Sequence, residues 1–184
     1  MCGIVGFVNT KDQKAEIIEQ MMDRIIHRGP NSSGKFIDDQ VALGFRRLSI
    51  IDLEGGTQPI YNEDGTKVII FNGEIYNFQS LREELIQAGH VFTTHADTEV
   101  LLHGYEEWGT DLLQRVRGMF AFAIWDREKQ ELFGARDHFG IKPYYYAEMN
   151  GTFMFGSEIK SFLPHPDFEK ELNKDCLLYT SDAA

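Results

Sequence analysis

Apolar residues in this chain fall either into short runs or into the three- and four-residue spacing of helices. The runs predict eight strands, in chain order over residues 3–8, 41–45, 48–51, 68–71, 119–125, 131–135, 144–147 and 152–155. Helical spacing predicts helices over residues 14–26, 81–88 and 98–108. Two groups of strands with helices between them favour an architecture of sheets packed face to face and covered by helices.

The segments between these elements carry residues typical of turns and helix ends. We expect residues 27–31 to end the first helix, and residues 62–65, 126–129 and 150–151 to form turns. Gly89 and Gly109 are expected to stop the second and third helices, and Asp97 to cap the third. The strand over residues 68–71 then delivers Asn72, Gly73 and Glu74 at its end.

Composition limits the kind of partner. The chain has 184 residues, 42% of them hydrophobic, which is enough for a substantial core. Its 18 Lys and Arg against 29 Asp and Glu give a net charge of -11, which opposes binding to nucleic acid or to an anionic membrane. A small or neutral ligand is favoured.

The sequence also indicates a compartment and a domain boundary. Cys2 and Cys176 are the only cysteines, no secretory or membrane-spanning segment is visible, and a reducing, cytoplasmic location is expected. Residues 1–170 are predicted to form one domain, because no linker or repeat divides them. Residues 171–184 are polar and aperiodic, and we interpret them as a truncated or non-native tail.

Cys2 is the first candidate for chemistry. Removal of Met1 would place a thiol and a free α-amine on one residue. That amine titrates at about 7.7 to 8.0, so it can accept the proton of the thiol and later donate it to a leaving amine. The alternative is that Cys2 is a small buried hydrophobic residue.

The six histidines predict no metal site. None shows the spacing of an HExxH motif and no pair of cysteines accompanies them, so each is interpreted as a surface or packing residue.

Six ordered motifs give the chain a family resemblance. They are Met1-Cys2-Gly3-Ile4-Val5-Gly6, His27-Arg28-Gly29-Pro30, Arg46-Arg47-Leu48-Ser49-Ile50, Phe71-Asn72-Gly73-Glu74-Ile75-Tyr76-Asn77, Asp97-Thr98-Glu99 and Arg136-Asp137-His138-Phe139-Gly140-Ile141-Lys142-Pro143. In this order they resemble class II glutamine amidotransferases, and most closely the N-terminal glutaminase domain of glutamine-hydrolysing asparagine synthetases. The resemblance implies an α+β fold of the N-terminal-nucleophile hydrolase type, a four-layer αββα sandwich.

The same resemblance assigns roles to the catalytic residues. Cys2 would attack the side-chain amide of glutamine, release ammonia, and leave a thioester that water hydrolyses to glutamate. Asn72, through its side-chain amide, and Gly73, through its backbone N–H, would form the oxyanion hole.

Substrate-binding residues follow in the same way. Arg47 would bind the α-carboxylate of glutamine, although the neighbouring Arg46 leaves an ambiguity of one residue. Asp97 would receive the α-ammonium, with Glu74 as a nearby second acceptor, and Asp97 could also be a helix cap. Arg28 and Gly29 are expected to shape a loop near Cys2 and to have no chemical role.

The resemblance also indicates what the chain lacks. Asparagine synthetases continue into an ATP-dependent synthetase domain with a phosphate loop that is missing from this sequence. ATP and Mg²⁺ are therefore expected only for that domain, and no cofactor is expected here. Residues 136–143 and 156–160 would leave a partly apolar surface where that domain would lie, and a homodimer is possible.

Two other functions stay open at this point. The domain could belong to a different amidotransferase, or it could be a catalytically silent binding module of the same fold. The expected partners are glutamine and the synthetase domain of the full-length protein, where the ammonia would serve asparagine synthesis from aspartate.

Overall fold

The computed structural model describes residues 2–48 and 57–171, which form strands, helices and their connections. The strands are β1 (Gly3–Val8), β2 (Ser32–Ile37), β3 (Val41–Arg47), β4 (Ile60–Tyr61), β5 (Lys67–Ile75), β6 (Gly118–Asp126), β7 (Glu131–Arg136), β8 (Tyr145–Met149) and β9 (Thr152–Gly156). The helices are α1 (Lys14–Asp23), α2 (Phe78–Ala88), α3 (Asp97–Trp108) and α4 (Leu112–Arg115), and short 3₁₀ turns cover Ile26–Arg28, Gly109–Asp111 and Ile159–Phe162.

These strands make two antiparallel sheets. The first has the order β2-β3-β1-β9-β8 and the second the order β4-β5-β6-β7. β1 is the central strand of the first sheet, with Gly3 opposite Arg46 on β3 and Val5 opposite Gly156 on β9. The strand that follows Cys2 is therefore held on both sides.

Three hydrophobic clusters show that the sheets pack face to face between helical layers. The cluster between the sheets joins Ile4, Leu43, Phe45 and Phe155 of the first to Val68, Ile70, Ala121, Ala123 and Trp125 of the second. On the outer side of the first sheet, α1 and the 3₁₀ turn Ile159–Phe162 bury apolar residues against β1. On the outer side of the second, α2, α3 and α4 cover alternate residues of β5 and β6. Sequence periodicity predicted this arrangement correctly.

Two strands were not predicted. Apolar and polar residues alternate poorly along β2, which is half exposed at the sheet edge. β4 has only two residues. Neither strand therefore has a hydrophobic pattern that would predict it. β3 runs without interruption through Arg46 and Arg47, which were expected to separate two strands. Of the strand predicted over residues 48–51, Leu48 lies in no strand, and the other three residues lie outside the described residues.

Element boundaries also differ from the prediction, and two of the differences matter for the site. β5 continues to Ile75, so Asn72 and Gly73 lie within the strand and not after its end. α3 begins at Asp97 itself and is preceded by Ala96, so Asp97 is not the helix cap that was expected. α1 ends at Asp23, three residues earlier than predicted, because the chain tightens into the 3₁₀ turn.

Among the helices within residues 2–48 and 57–171, we find none with the length and apolar character needed to cross a membrane.

Candidate functional site

Cys2 lies at the beginning of β1, at one end of the layer between the sheets. Its side chain is half-buried and packs against the inter-sheet cluster. The backbone N–H of Leu48 donates to Cys2 Sγ at 3.5 Å, and the carbonyl oxygen of Leu48 lies 3.9 Å from the same sulfur. The thiol is thus fixed against the end of β3 while part of it stays accessible.

Arg28 fixes the backbone of Cys2. Its Nε donates to the carbonyl oxygen of Cys2 at 3.1 Å, and its Nη1 lies 3.2 Å from Glu158 Oε1. Burial raises the pKa of Glu158, but hydrogen bonds from Lys160, His27 and Arg28 outweigh it and lower that pKa to about 2. Glu158 is therefore an anion at any working pH, and it anchors the guanidinium that holds Cys2.

Ser157 and Gly29 complete the support around the start of β1. The buried Ser157 Oγ accepts the N–H of Ile4 at 3.0 Å, and the Ser157 N–H donates to the carbonyl of Ile4 at 2.8 Å. A methyl group at Gly29 would lie 2.3 to 2.5 Å from backbone atoms of Arg46 and Arg47, so only glycine lets this loop lie on the end of β3. The loop-shaping role expected for Arg28 and Gly29 agrees with these contacts.

Asn72 presents an unused donor in the inter-sheet layer. Its neighbours two and four residues earlier on β5, Ile70 and Val68, belong to the inter-sheet cluster, and alternation places Asn72 on the same face as that cluster and Cys2. Asn72 is 3% exposed, yet its Nδ2 has no hydrogen-bond partner among the described residues. An unpaired buried amide costs about 1 to 3 kcal/mol, so this arrangement points to a ligand that accepts the bond.

Gly73 offers a second N–H on the open edge of β5. The N–H of Phe71 donates to Gln58 Oε1 at 2.6 Å and that of Ile75 to Asp97 Oδ2 at 2.8 Å. N–H groups two residues apart point to the same side of a strand, so the Gly73 N–H points to this edge as well. The glycine is needed because a methyl group there would lie 2.3 Å from the carbonyl oxygen of Met119 on β6. Glycine is therefore required at this position by the close packing of β5 against β6.

Arg46 and Arg47 point to opposite faces of β3. Arg46 Nε donates to the carbonyl of Met22 at 3.2 Å and its Nη2 pairs with Asp23, so its guanidinium is used at the end of α1. Arg47 alternates to the face of Phe45, which lies in the inter-sheet cluster. The structure thus directs Arg47, and not Arg46, to the layer that contains Cys2.

Asp97 and Glu74 place two carboxylates beside the end of β5. Burial raises the pKa of Asp97 and the charge of Glu74 raises it further, although the bond from the Ile75 N–H opposes both. Glu74 itself is exposed. A desolvated carboxylate with a second carboxylate nearby is stabilised by a bound cation.

The sequence candidates fall into two groups according to the face or edge that they occupy. Cys2, Arg47 and Asn72 share the inter-sheet face, and Gly73 and Asp97 lie at the adjacent edge of β5. Sequence reasoning missed Ser157 and Glu158, which it placed only toward a second domain. Their signal was their position directly after a strand that could pair with β1.

Comparisons with known proteins identify relatives over the whole chain. A family model described as glutamine amidotransferase domain matches residues 1–181. Asparagine synthetase [glutamine-hydrolyzing] 1 of Bacillus subtilis is 50% identical over 183 residues, covering 96% of this chain and 29% of the relative. Asparagine synthetase B [glutamine-hydrolyzing] of Escherichia coli is 39% identical, covering 99% of this chain and 33% of the relative. This chain thus spans a third or less of these relatives.

Solved structures share the fold. Glutamine phosphoribosylpyrophosphate amidotransferase of B. subtilis superposes with a TM-score of 0.73 at 21% identity, covering 88% of this chain and 43% of that one. A structure described as the allosteric regulatory enzyme of purine biosynthesis gives 0.74 at 22% identity, covering 89% and 43%. The expected four-layer αββα sandwich of the N-terminal-nucleophile hydrolase type is confirmed.

Proposed function

Since the chain belongs to the glutamine amidotransferase domain family, we propose that it hydrolyses the side-chain amide of glutamine to glutamate and ammonia. The observation that carries this proposal is the buried, unpartnered Nδ2 of Asn72 on the same inter-sheet face as Cys2. Such a donor suits an oxygen that becomes anionic during the reaction, because it is paired only when that charge appears.

The first step of the proposed reaction requires that Met1 be removed. The α-amine of Cys2 takes the proton of the thiol, and the sulfur forms a bond to the carboxamide carbon of glutamine. The π electrons of the carbonyl move to its oxygen, which accepts hydrogen bonds from Asn72 Nδ2 and the Gly73 N–H. Arg28 holds the carbonyl of Cys2 and so fixes the direction from which the sulfur attacks.

The second step breaks the carbon–nitrogen bond. The protonated α-amine donates its proton to the leaving nitrogen, ammonia departs, and a γ-glutamyl thioester remains on Cys2. Water then loses a proton to the amine and attacks the thioester through a second oxyanion. Collapse of that oxyanion returns the proton to the sulfur and releases glutamate. The proposed steps use no cofactor.

The amino-acid end of glutamine is held, in this proposal, by charges around the reacting amide. The Arg47 guanidinium donates paired hydrogen bonds to the α-carboxylate. Asp97 accepts the α-ammonium, and Glu74 adds a second negative charge next to it. The raised pKa of Asp97 supports this role, because a bound ammonium offsets the cost of the buried carboxylate.

A direct assay tests the proposal. The purified chain, shown by intact mass to begin at Cys2, should release ammonia and glutamate in equal amounts from glutamine. Asparagine serves as the matched control substrate, since its amide lies one carbon closer to the α-carbon and should react far more slowly. A correctly processed chain that binds glutamine without turning it over would instead support a silent binding module.

We expect substitution of Arg47 by alanine to raise the KM for glutamine by about 10- to 100-fold, because one charge-assisted pair of hydrogen bonds is lost. The matched control is Arg46→Ala, which removes contacts to Met22 and Asp23 but none to substrate. That control should lower the melting temperature and leave KM nearly unchanged. Steady-state kinetics would contradict the assignment if Arg46→Ala were the variant with the raised KM.

Glutamine affinity should weaken as the pH falls through the raised pKa of Asp97. Below that pKa the carboxyl is protonated and no longer attracts the ammonium, so the dissociation constant should rise by up to about tenfold per pH unit. The folding stability of the free protein changes with pH in the opposite direction to glutamine affinity. An Asp whose pKa is raised by folding contributes stability at low pH, and this contribution is lost as the pH rises.

Calorimetry in the inert Cys2→Ala background measures this dependence. Glu74→Gln should move the fall in affinity at acidic pH, here called the acidic limb, to lower pH. The reason is that it removes a charge that raises the pKa of Asp97. Asp97→Asn should remove the limb. An unchanged limb in Asp97→Asn would show that another group binds the ammonium.

We further propose that the ammonia serves asparagine synthesis from aspartate in a longer protein. The support is the 50% identity to a glutamine-hydrolysing asparagine synthetase, of which this chain corresponds to 29%. Phe139 is 90% exposed and Ile141 and Ile159 are half exposed, which supports a covering synthetase domain at this surface. ATP and Mg²⁺ would act in that domain.

A chain carrying both parts should make asparagine from glutamine, aspartate and ATP, whereas phosphoribosyl or sugar-phosphate acceptors would indicate a different amidotransferase.

A further inference from the structure

A second group of ionisable side chains lies at the far end of β5 from Asn72. Its members are Glu63, His90, Glu99, His103, Glu106 and Glu107, here called the His90–His103 cluster. They come from the turn before β5, the loop after α2, and α3. Glu63 precedes Lys67 at the start of β5, and β5 separates Lys67 from Asn72 by about 17 Å, so this part of the cluster lies away from the proposed oxyanion hole.

Three ligand atoms of the cluster, one each from Glu63, His90 and His103, lie within 4.8 Å of one another. His103 Nδ1 lies 2.9 Å from Glu106 Oε2 and 3.8 Å from Glu63 Oε2, and His90 Nδ1 lies 3.8 Å from Glu106 Oε2. A tetrahedral zinc ion with bonds of about 2.0 to 2.1 Å needs ligand atoms about 3.3 Å apart. The 3.8 Å between His103 Nδ1 and Glu63 Oε2 is close to that value, so small side-chain adjustments would bring the three atoms onto one ion.

The two carboxylates are each held by their other oxygen. Glu106 Oε1 accepts Asn62 Nδ2 at 2.6 Å, and Glu63 Oε1 accepts the N–H of Val91 at 2.9 Å. Each therefore keeps one oxygen for the centre of the cluster. Metal ligands are commonly oriented by outer partners in this manner.

Each imidazole likewise has one ring nitrogen near an outer carboxylate and the other toward the centre of the cluster. His90 Nε2 lies 3.2 Å from Glu107 Oε2, and His103 Nε2 lies 3.6 Å from Glu99 Oε1, so the Nδ1 atoms of both rings face the centre. Glu99 is itself fixed as an anion by four donors, the N–H and hydroxyl groups of the two threonines at positions 93 and 94. A carboxylate behind a histidine is the usual means of orienting a metal-binding ring.

His103 is a buried ring that lies between two carboxylates. The residue is 1% exposed, and its Nε2 has no hydrogen-bond partner among the described residues. A proton on Nδ1 alone leaves the Nε2 lone pair facing the Glu99 carboxylate. A proton on Nε2 alone leaves the Nδ1 lone pair facing Glu106. Either neutral form is repelled by a buried anion, so the ring needs a second proton or a bound cation.

We propose that Glu63, His90 and His103 bind a divalent transition-metal cation of the zinc type, with the Glu106 carboxylate beside them. Two imidazoles favour zinc, cobalt or nickel over magnesium or calcium, which prefer oxygen ligands. The ion fastens the turn before β5 and the loop after α2 to α3, the helix that begins with Asp97. This assignment departs from the sequence expectation that the histidines are packing or surface residues.

Metal titration tests the proposal directly. The protein is freed of metal with a chelator, and Cys2→Ala and Cys176→Ala remove the thiols that would also bind zinc. Calorimetry with Zn²⁺ should show a single saturable equivalent per chain, and Co²⁺ should give the intense visible absorption of a tetrahedral site. Zn²⁺ should also raise the melting temperature.

Variants at partly exposed ligands keep the result interpretable, since His103 is too deeply buried for a clean substitution. His90→Ala and Glu63→Gln should each weaken Zn²⁺ binding by about 10- to 100-fold or more. The matched control His95→Ala removes an exposed histidine of the same loop and should leave affinity unchanged. Absence of saturable binding, or binding equal in His90→Ala and the parent, would overturn the proposal and leave a second proton on His103 as the missing charge.

Discussion

Replacing Cys2 with alanine is expected to abolish glutamine hydrolysis, lowering kcat by at least about 10³-fold. Without the sulfur no thioester can form, and the remaining donors polarise the amide but supply no nucleophile. Steady-state ammonia release measures the loss. Acid-quenched samples should show a glutamyl adduct by intact mass in the parent and none in the variant.

The matched control is Cys176→Ala, the same substitution in the segment outside the described residues. It should keep full activity. Calorimetry should also show that Cys2→Ala still binds glutamine, because Arg47 and Asp97 are unchanged. Turnover at the parent rate in Cys2→Ala would refute the covalent mechanism.

The second large effect is expected at Asn72. Asn72→Ala should lower kcat by about 10²- to 10³-fold with little change in KM, because its Nδ2 is proposed to bond strongly only when the substrate oxygen becomes anionic. Steady-state kinetics on the processed chain separates the two parameters. A loss confined to KM would indicate that Asn72 binds the ground state only.

Stability distinguishes this role from a structural one. Nδ2 of Asn72 has no partner among the described residues, whereas Asn9, which is also buried, donates to Thr152 Oγ1 at 3.1 Å. Urea unfolding should therefore show a larger loss of stability in Asn9→Ala than in Asn72→Ala, while only Asn72→Ala loses kcat. If Asn72→Ala were the less stable variant and kept its activity, Asn72 would be a core residue.

The core strands were predictable because they carry their own pattern, whereas the four-layer sandwich was implied by the family resemblance. Residues 68–71 and 119–125 are apolar enough to be recognised without neighbours, and the turn at Asn150 and Gly151 is borne out by positive φ angles of 52° and 76°. β2 was missed because an exposed edge strand is held by pairing with β3, which no local pattern reveals. The family resemblance drawn from the motifs is confirmed by the matches over the whole chain.

The candidate site was predictable only as a set of residue types. Motifs indicated Cys2, Asn72 and Arg47, but the choice between Arg46 and Arg47 depended on the face of β3. Asp97 was expected to cap a helix, and the structure instead uses its carboxylate on the Ile75 N–H, a contact between residues 22 positions apart.

The His90–His103 cluster could not be found from residue spacing in the sequence, because its residues come from three segments. Glu99, His103, Glu106 and Glu107 all come from α3, and charged residues at such spacing are usually just solvated or paired. The contribution of Glu63 and His90 depends on how the turn before β5 and the loop after α2 meet that helix. Tertiary structure therefore supplied the site.

The central position of β1 determines how late in synthesis the start of the chain, with the proposed nucleophile, becomes enclosed in the first sheet. β1 pairs with β3, which follows it closely in the chain, and with β9, whose last residue is Gly156. A ribosome adding about 5 to 20 residues per second needs about 8 to 30 s to travel from the first strand to the last. During that interval the first sheet is unfinished, Ser157 and Glu158 have not yet arrived, and the beginning of the chain is open to a peptidase that removes Met1.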